Sequence, residues 1–417
     1  MKKILLCLIL LFCPIIVFAK DVPDVSSEAV VLYQLNENKV IFTKNADKKL
    51  APASLTKIMT ILVAIEEIPN LDEIVTLTSN MFQGLASQNA SVAGFQIGEK
   101  VTYRDLLYGA LFPSGGDATQ ALAILLEGST EKFVEKMNEK ANVIGMNDTH
   151  FENETGLPDI NHFSTASDMA LLLKEALKNE KFYELFTTRS YQTSNQKHTW
   201  IPSFLKTANT YHIDVDEILG GKTGFTNEAG YCLASLAQYN NVKYLLVTLH
   251  APTSGSKAGA VYNSKLIYDY FKNNYGYQEL IQKNEALLSL KTEKYSEVKN
   301  VDVISKENIS YYLPNDYNKE ELRMEYQGIE EISYGMKKGK KVGTVTYYYQ
   351  NEKLGSVSAY LNQDISFSPF LFLKDHWLWI IFVFVIFMII VFKITNKKER
   401  RKREKLNNCL NIKIMLY

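Results

Sequence analysis

Ala51-Pro52-Ala53-Ser54-Leu55-Thr56-Lys57-Ile58-Met59-Thr60 heads a run of apolar residues at helical spacing, and its serine and lysine stand three positions apart. On a helix, positions i and i+3 share a face, so the Ser54 hydroxyl and the Lys57 amine meet without help from a distant loop. A hydroxyl beside an amine is what an activated serine needs. Both residues are common, however, and the spacing alone recurs by chance. Its meaning depends on the rest of the chain.

Upstream, residues 29–35 and 39–44 read as two strands joined across Asn36-Glu37-Asn38, a hairpin signal. Downstream, apolar residues at i, i+3 and i+4 predict helices over 103–111, 118–127, 130–144 and 167–179. Residues 231–238 and 242–249 predict a second hairpin, and 256–274 a closing helix. Strands at both ends of a helical middle imply an α/β class with a mostly antiparallel sheet built from the two ends of the domain. After residue 275 the composition turns to short β-rich segments at 292–304, 309–313, 321–326, 342–350 and 354–361. They predict a small all-β domain over 275–368.

A length of 417 residues, 46% hydrophobic and 22% charged, suits two or three globular domains. Met1-Lys2-Lys3, an apolar stretch over 4–18 and Ala19 predict a secretory signal at 1–19, so the first folded domain is expected over 20–274. Residues 377–392 are uncharged and apolar, which predicts a transmembrane helix over 376–394. The basic tail that follows, 395–417, belongs in the cytoplasm by the positive-inside rule. The expectation is a single-pass cell-membrane protein whose body is extracytoplasmic.

From Lys393 onward the tail holds nine Lys or Arg and two Glu, and the leader holds two Lys, so 35 of 46 basic and 44 of 46 acidic residues lie between. An exported body at about −9 excludes a nucleic-acid partner. Cys7 and Cys13 fall in the leader and Cys409 in the tail. Cys232 is left without a partner, and no disulfide framework is possible in the exported part. The histidines show no His-x-x-x-His ligand spacing, and neither a metal nor another cofactor is expected.

Two further stretches carry chemistry. Phe112-Pro113-Ser114-Gly115-Gly116-Asp117 places a serine in a glycine-rich turn before a helix, where its hydroxyl can face a cleft. Gly220-Gly221-Lys222-Thr223-Gly224-Phe225-Thr226 offers a cation, a hydroxyl, and a glycine that lets an extended substrate approach the backbone. In order along the chain, Ser-x-x-Lys, Ser-Gly-x and Lys-Thr-Gly form the set found in penicillin-recognising serine enzymes.

Over roughly residues 29–274 the chain resembles the D-alanyl-D-alanine carboxypeptidases, the low-molecular-mass penicillin-binding proteins. The likeness extends to Phe151-Glu152-Asn153-Glu154-Thr155-Gly156-Leu157-Pro158-Asp159, to His162-Phe163-Ser164-Thr165-Ala166, and to the residues from Lys222 through Tyr231. The resemblance implies a β-lactamase/transpeptidase-like domain followed by a β domain and a membrane anchor. It implies that Ser54 attacks the D-Ala-D-Ala peptide bond of a peptidoglycan stem pentapeptide and forms an acyl-enzyme, with Lys57 as base. Ser114 would relay a proton to the leaving D-alanine, and Lys222 and Thr223 would hold the terminal carboxylate. Gly224, Phe225, Thr226 and Gly116 complete the implied substrate-binding set. The backbone N–H groups of Ser54 and Phe225 would form the oxyanion hole, and β-lactams would be covalent inhibitors.

One departure stands out. The family usually carries an asparagine where this chain has Gly116, so an amide that contacts substrate and lysine is missing. A catalytically weak penicillin- or wall-binding homologue is therefore a second reading. A β-lactamase is a third, but no Glu-x-x-x-Asn spacing around Glu152 or Glu154 supplies its deacylating glutamate, and the β domain and membrane span fit it poorly. His150 and His162 are expected to be structural.

Overall fold

The computed structural model describes residues 22–414; the signal expected at 1–19 lies outside them. The chain divides into two compact units, Met1–Tyr275 and Gly276–Tyr417.

The first unit opens with β1 (Ala29–Gln34) and β2 (Lys39–Lys44), antiparallel across a turn in which Asn38 takes φ +54°, a conformation asparagine tolerates. Then come α1 (Lys57–Glu67), the short pair β3 (Ile74–Thr76) and β4 (Lys100–Thr102), and the helices α2 (Tyr103–Leu111), α3 (Gly116–Glu127), α4 (Thr130–Ile144), α5 (Ala166–Ala176) and α6 (Glu180–Thr187). A second short pair, β5 (Tyr191–Gln192) and β6 (Thr199–Trp200), leads to α7 (Ser203–Tyr211). Three long strands, β7 (Ile218–Thr226), β8 (Gly230–Tyr239) and β9 (Val242–Ala251), precede α8 (Gly259–Asn274).

The main sheet has the order β2-β1-β9-β8-β7, antiparallel throughout. The two ends of the domain meet where Ala29 lies opposite Leu249 and Gln34 opposite Tyr244. Strand alternation sorts the side chains: Ala29, Val31, Leu245, Val247 and Leu249 join the core of the helical cluster. Tyr244 and Thr248 turn to the other face, where Tyr268 and Ser264 of α8 meet them. Helix α1 is buried on every side from Lys57 to Ile65, as its apolar circumference requires. The site is therefore anchored on the most buried helix of the cluster.

The second unit contains β10 (Tyr275–Ile281), β11 (Ala286–Thr292), β12 (Asn300–Ile304), β13 (Ile309–Pro314), β14 (Leu322–Gly328), β15 (Glu331–Ile332), β16 (Lys341–Tyr349) and β17 (Glu352–Leu361). Six form a sheet in the order β14-β16-β17-β12-β11-β15, and β10 pairs with β13. Its core includes Val301, Val303, Val345, Ala359 and Leu361. The all-β expectation holds, except that 292–304 is not one strand: β11 and β12 pair antiparallel, with Lys291 opposite Asn300. The unit ends in α9 (Pro369–Ile414), 46 residues long. Its apolar part, mean hydropathy 2.8, is long enough to cross a bilayer, and the helix runs on through the basic segment. At 1.5 Å per residue its length is about 69 Å, over twice a hydrocarbon core.

Several elements of the first unit differ from expectation. Helices α6 and α7, 8 and 9 residues long, were not anticipated. Helix α3 begins at Gly116 rather than 118. The Lys-Thr-Gly segment, expected as a loop leading into a hairpin, is itself strand β7 at the sheet edge. Glycines weaken a strand signal, but here packing requires one: a Cβ on Gly220 would lie 2.1 Å from the Phe186 carbonyl oxygen of α6.

Candidate active site

Ser54 sits in a 3-10 turn, Ala53–Thr56, and Lys57 is the first residue of α1. The turn is entered through Ala53 at φ +47°, a left-handed conformation that non-glycine residues adopt only under constraint. The constraint comes from three sides. Thr56 Oγ1 donates to the Ala53 carbonyl (2.8 Å) and meets His162 Nε2 at 2.8 Å. A Cβ on Gly156 (φ +79°) would lie 2.0 Å from the Ala53 oxygen, and a Cβ on Gly224 3.0 Å from that of Pro52. The glycine of Lys-Thr-Gly thus lets the Ser54 turn lie flat on β7.

His162 has one consistent tautomer. Its Nδ1 accepts the Glu152 N–H (3.2 Å), so Nε2 carries the proton and donates to Thr56 Oγ1. Burial holds its pKa down to about 4. The ring is a neutral brace between the Phe151–Asp159 segment and the nucleophile turn, in keeping with the structural role expected of it.

Lys57 Nζ lies 3.2 Å from Ser54 Oγ and donates to the Thr155 carbonyl at 2.5 Å. That carbonyl is aimed by Asn153, whose Oδ1 accepts from Thr155 Oγ1 and from the N–H groups of Gly156 and Leu157. Burial lowers the Lys57 pKa to about 8, against the opposing pull of Glu154 and Asp117. Burial is thus the cause at work on Lys57. Repulsion between the lysines acts on Lys222, whose pKa is lowered well below its ordinary value first by burial and then by Lys57.

Lys222 is 1% exposed. Its Nζ donates to Ser114 Oγ and to the Thr223 carbonyl, each at 2.8 Å. Ser114, at φ +64°, is presented by the turn between α2 and α3. The Gly115 N–H bonds the Gly109 carbonyl and the Gly116 N–H the Ser91 carbonyl. Asp117 fixes this turn to the segment before it, accepting N–H bonds from Ala93 (2.7 Å), Gly94 (3.0 Å) and Phe95 (3.1 Å).

A cleft of about 380 Å³ is lined by Ser54, Ser114, Thr223, Gly224, Phe225 and Tyr231, among others. Phe225, 47% exposed, stacks on Tyr231 with ring centres 4.5 Å apart. The structure thus brings Ser54, Lys57, Ser114, Lys222 and Thr223 together, while Thr226 stands at the end of β7, where its hydroxyl accepts the Ala229 N–H. Sequence reasoning missed two contributors. Lys257, exposed on the loop before α8, joins the cleft wall; no spacing marked it. Thr155 acts through a backbone carbonyl, which leaves no trace in residue identity.

At Gly116 a larger residue fits only if its neighbours give way by a few tenths of an ångström. A Cβ there would lie 3.1 Å from Leu85 Cδ2 and 3.3 Å from the Ser91 oxygen. Gly116→Asn is expected to lower stability by about 1–3 kcal/mol, as overpacking does, measured by urea unfolding. An unchanged midpoint would show that the 85–91 segment yields freely.

Comparison with known proteins bears on this geometry. Residues 16–253 match the family described as D-alanyl-D-alanine carboxypeptidase, and residues 275–366 match the penicillin-binding protein 5 C-terminal domain. The chain is 31% identical over 349 residues to D-alanyl-D-alanine carboxypeptidase DacF of Bacillus subtilis, covering 84% of this chain and 88% of that protein. Among solved structures it resembles D-alanyl-D-alanine carboxypeptidase DacD from Francisella tularensis, with a TM-score of 0.61 and 25% identity over 83% of this chain and 95% of that one. It shares the fold of penicillin binding protein 5 from Haemophilus influenzae, with a TM-score of 0.59 and 24% identity over 82% of this chain and 98% of that one.

Proposed function

The chain belongs to the D-alanyl-D-alanine carboxypeptidase family, and from that premise we propose that its reaction runs through an acyl-enzyme on Ser54, with Lys57 as base. The protein is a serine D-Ala-D-Ala carboxypeptidase acting on peptidoglycan. The observation that carries the residue assignment is the buried Lys57 amine 3.2 Å from Ser54 Oγ.

With a pKa of about 8, about one Lys57 amine in ten is neutral at pH 7, against about one in 3,000 for an ordinary lysine. The neutral amine donates one N–H to the Thr155 carbonyl and turns its lone pair toward Ser54. It takes the hydroxyl proton as Oγ bonds to the scissile carbonyl carbon. The developing oxyanion is received by the backbone N–H groups of Ser54 and Phe225. The C–N bond then breaks, and the leaving D-alanine nitrogen takes a proton from Ser114, which Lys222 resupplies through their 2.8 Å contact. Water attacks the ester, passing its proton through Ser114 to the deprotonated Lys222. The Lys57 ammonium returns its proton to Ser54 Oγ as the ester bond breaks, restoring both lysines and the hydroxyl.

Lys222 is committed to Ser114 and to the Thr223 carbonyl, so its charge acts on the substrate carboxylate from behind the cleft wall. The Thr223 hydroxyl and the exposed Lys257 reach that carboxylate directly. β-Lactams acylate the same serine. The apolar part of α9 anchors the protein in the membrane as a single pass, with the peptidase outside and the basic end in the cytoplasm.

Release of D-alanine from a pentapeptide by the purified protein tests this reading. Since the neutral amine is the active form, kcat/KM is expected to rise about tenfold per pH unit up to a midpoint near 8 and level off above it. A flat profile between pH 6 and 9 overturns Lys57 as the base.

A further inference from the structure

A second cavity, about 490 Å³, lies on the far side of the segment that holds Lys57. Thr155, whose carbonyl holds Lys57, is part of its wall, and so is Leu85, which packs beside Gly116. The 85–91 segment therefore borders both this cavity and the catalytic cleft, where Ser91 is a wall residue. Three carboxylates line it, Glu152, Glu154 and Asp159, with the amides of Gln83, Gln88 and Gln120 and no lysine or arginine.

Glu154 makes this more than an acidic surface. It is 5% exposed, and among the described residues no other side chain is recorded as bonding its carboxylate. Burial raises its pKa, with its own backbone N–H and the charge of Lys57 opposing. An acid without a side-chain partner in a cavity wall is costly to leave so unless something fills the space. Glu152 and Asp159 stand exposed, Glu152 3.1 Å from His150 Nε2 and Asp159 accepting the Asn161 N–H, and both give the entrance a negative potential.

Resting on the carboxypeptidase reading above, we propose that this cavity is a specificity subsite for the substrate's acyl side, taking a side chain that ends in a free ammonium with no carboxylate beside it. An ammonium replaces the missing partner of Glu154 and finds amide oxygens for its other protons. A side chain ending in both an amine and a carboxylate would bring its negative end against three acids, with no cation in the wall to receive it. The acceptable third residue of the stem peptide is then a lysine-type diamino acid.

The test compares D-alanine release by the full chain from three peptides that end in D-Ala-D-Ala and differ only in the preceding residue. These residues are lysine, Nε-acetyl-lysine and meso-diaminopimelate. The lysine peptide is expected to exceed each of the others in kcat/KM by about tenfold, mostly through KM, and added salt should narrow the gap because the entrance is exposed. In Glu152→Gln/Asp159→Asn, whose side chains lie at the surface, the ratio should fall toward one, and in Glu154→Gln likewise. Equal rates for lysine and acetyl-lysine overturn the subsite while leaving the carboxypeptidase reading intact. A preference for diaminopimelate, or a lysine preference that survives all three substitutions, also overturns it. Release from none of the peptides overturns both readings.

Discussion

Ser54→Ala is expected to abolish D-alanine release and covalent attachment of penicillin together, a loss on the order of 10⁴-fold or more in kcat. Among the described residues Ser54 Oγ has one side-chain hydrogen bond, with the Lys57 amine at 3.2 Å, and the turn around it is held by Thr56, Gly156 and Gly224. The variant should therefore unfold at the wild-type midpoint. Lys57→Met removes the proton acceptor and should have a loss of similar size. Nucleophile and base act as one unit, so the double variant should be no worse than either single one. Additive losses, or penicillin still attached to Ser54→Ala, would remove Ser54 from the mechanism. Digestion of the penicillin-treated wild type should place the label on the peptide containing residue 54.

Asp117→Ala has the largest expected effect on stability. Its carboxylate, 1% exposed, accepts N–H bonds from residues 93, 94 and 95, more than twenty positions upstream, and from Ala118 at 3.0 Å. Charge-assisted bonds of this kind are stronger than neutral ones, and deleting the acceptor leaves buried donors unsatisfied at about 1–3 kcal/mol each. A net loss of about 3–5 kcal/mol is expected by urea unfolding. Asp117→Asn should rescue little. Its Oδ1 can still serve Ala93, but its amide would then face the N–H groups of Gly94 and Phe95, donor against donor. Wild-type stability in the alanine variant would show that the 93–95 segment finds other acceptors.

The antiparallel sheet closed by both ends of the domain was legible because β1, β8 and β9 are apolar runs bounded by turn residues and the helices repeat at 3.6 residues. The β domain and the apolar C-terminal helix were legible for the same kind of reason. Where local pattern and packing disagreed, packing won. Residues 220–224 hold three glycines and read locally as a loop, yet β8 pairs with them and Phe186 leaves no space for a side chain at 220.

By itself, the sequence determined which groups are the candidates for the chemistry. Ser54, Lys57, Ser114 and Lys222 are present in an order that the family shares, and residue identity is enough to read that order. Only the tertiary structure decided their states. Whether Lys57 is a base depends on burial, which no spacing encodes, and whether Lys222 meets substrate or Ser114 depends on the 2.8 Å contact that the sheet edge and the α2–α3 turn create. The same holds for Gly116. The sequence marks it as a missing asparagine, but the fold has already filled that space with Leu85, Ala90 and Ser91, because a residue without a side chain lets a neighbouring segment close in.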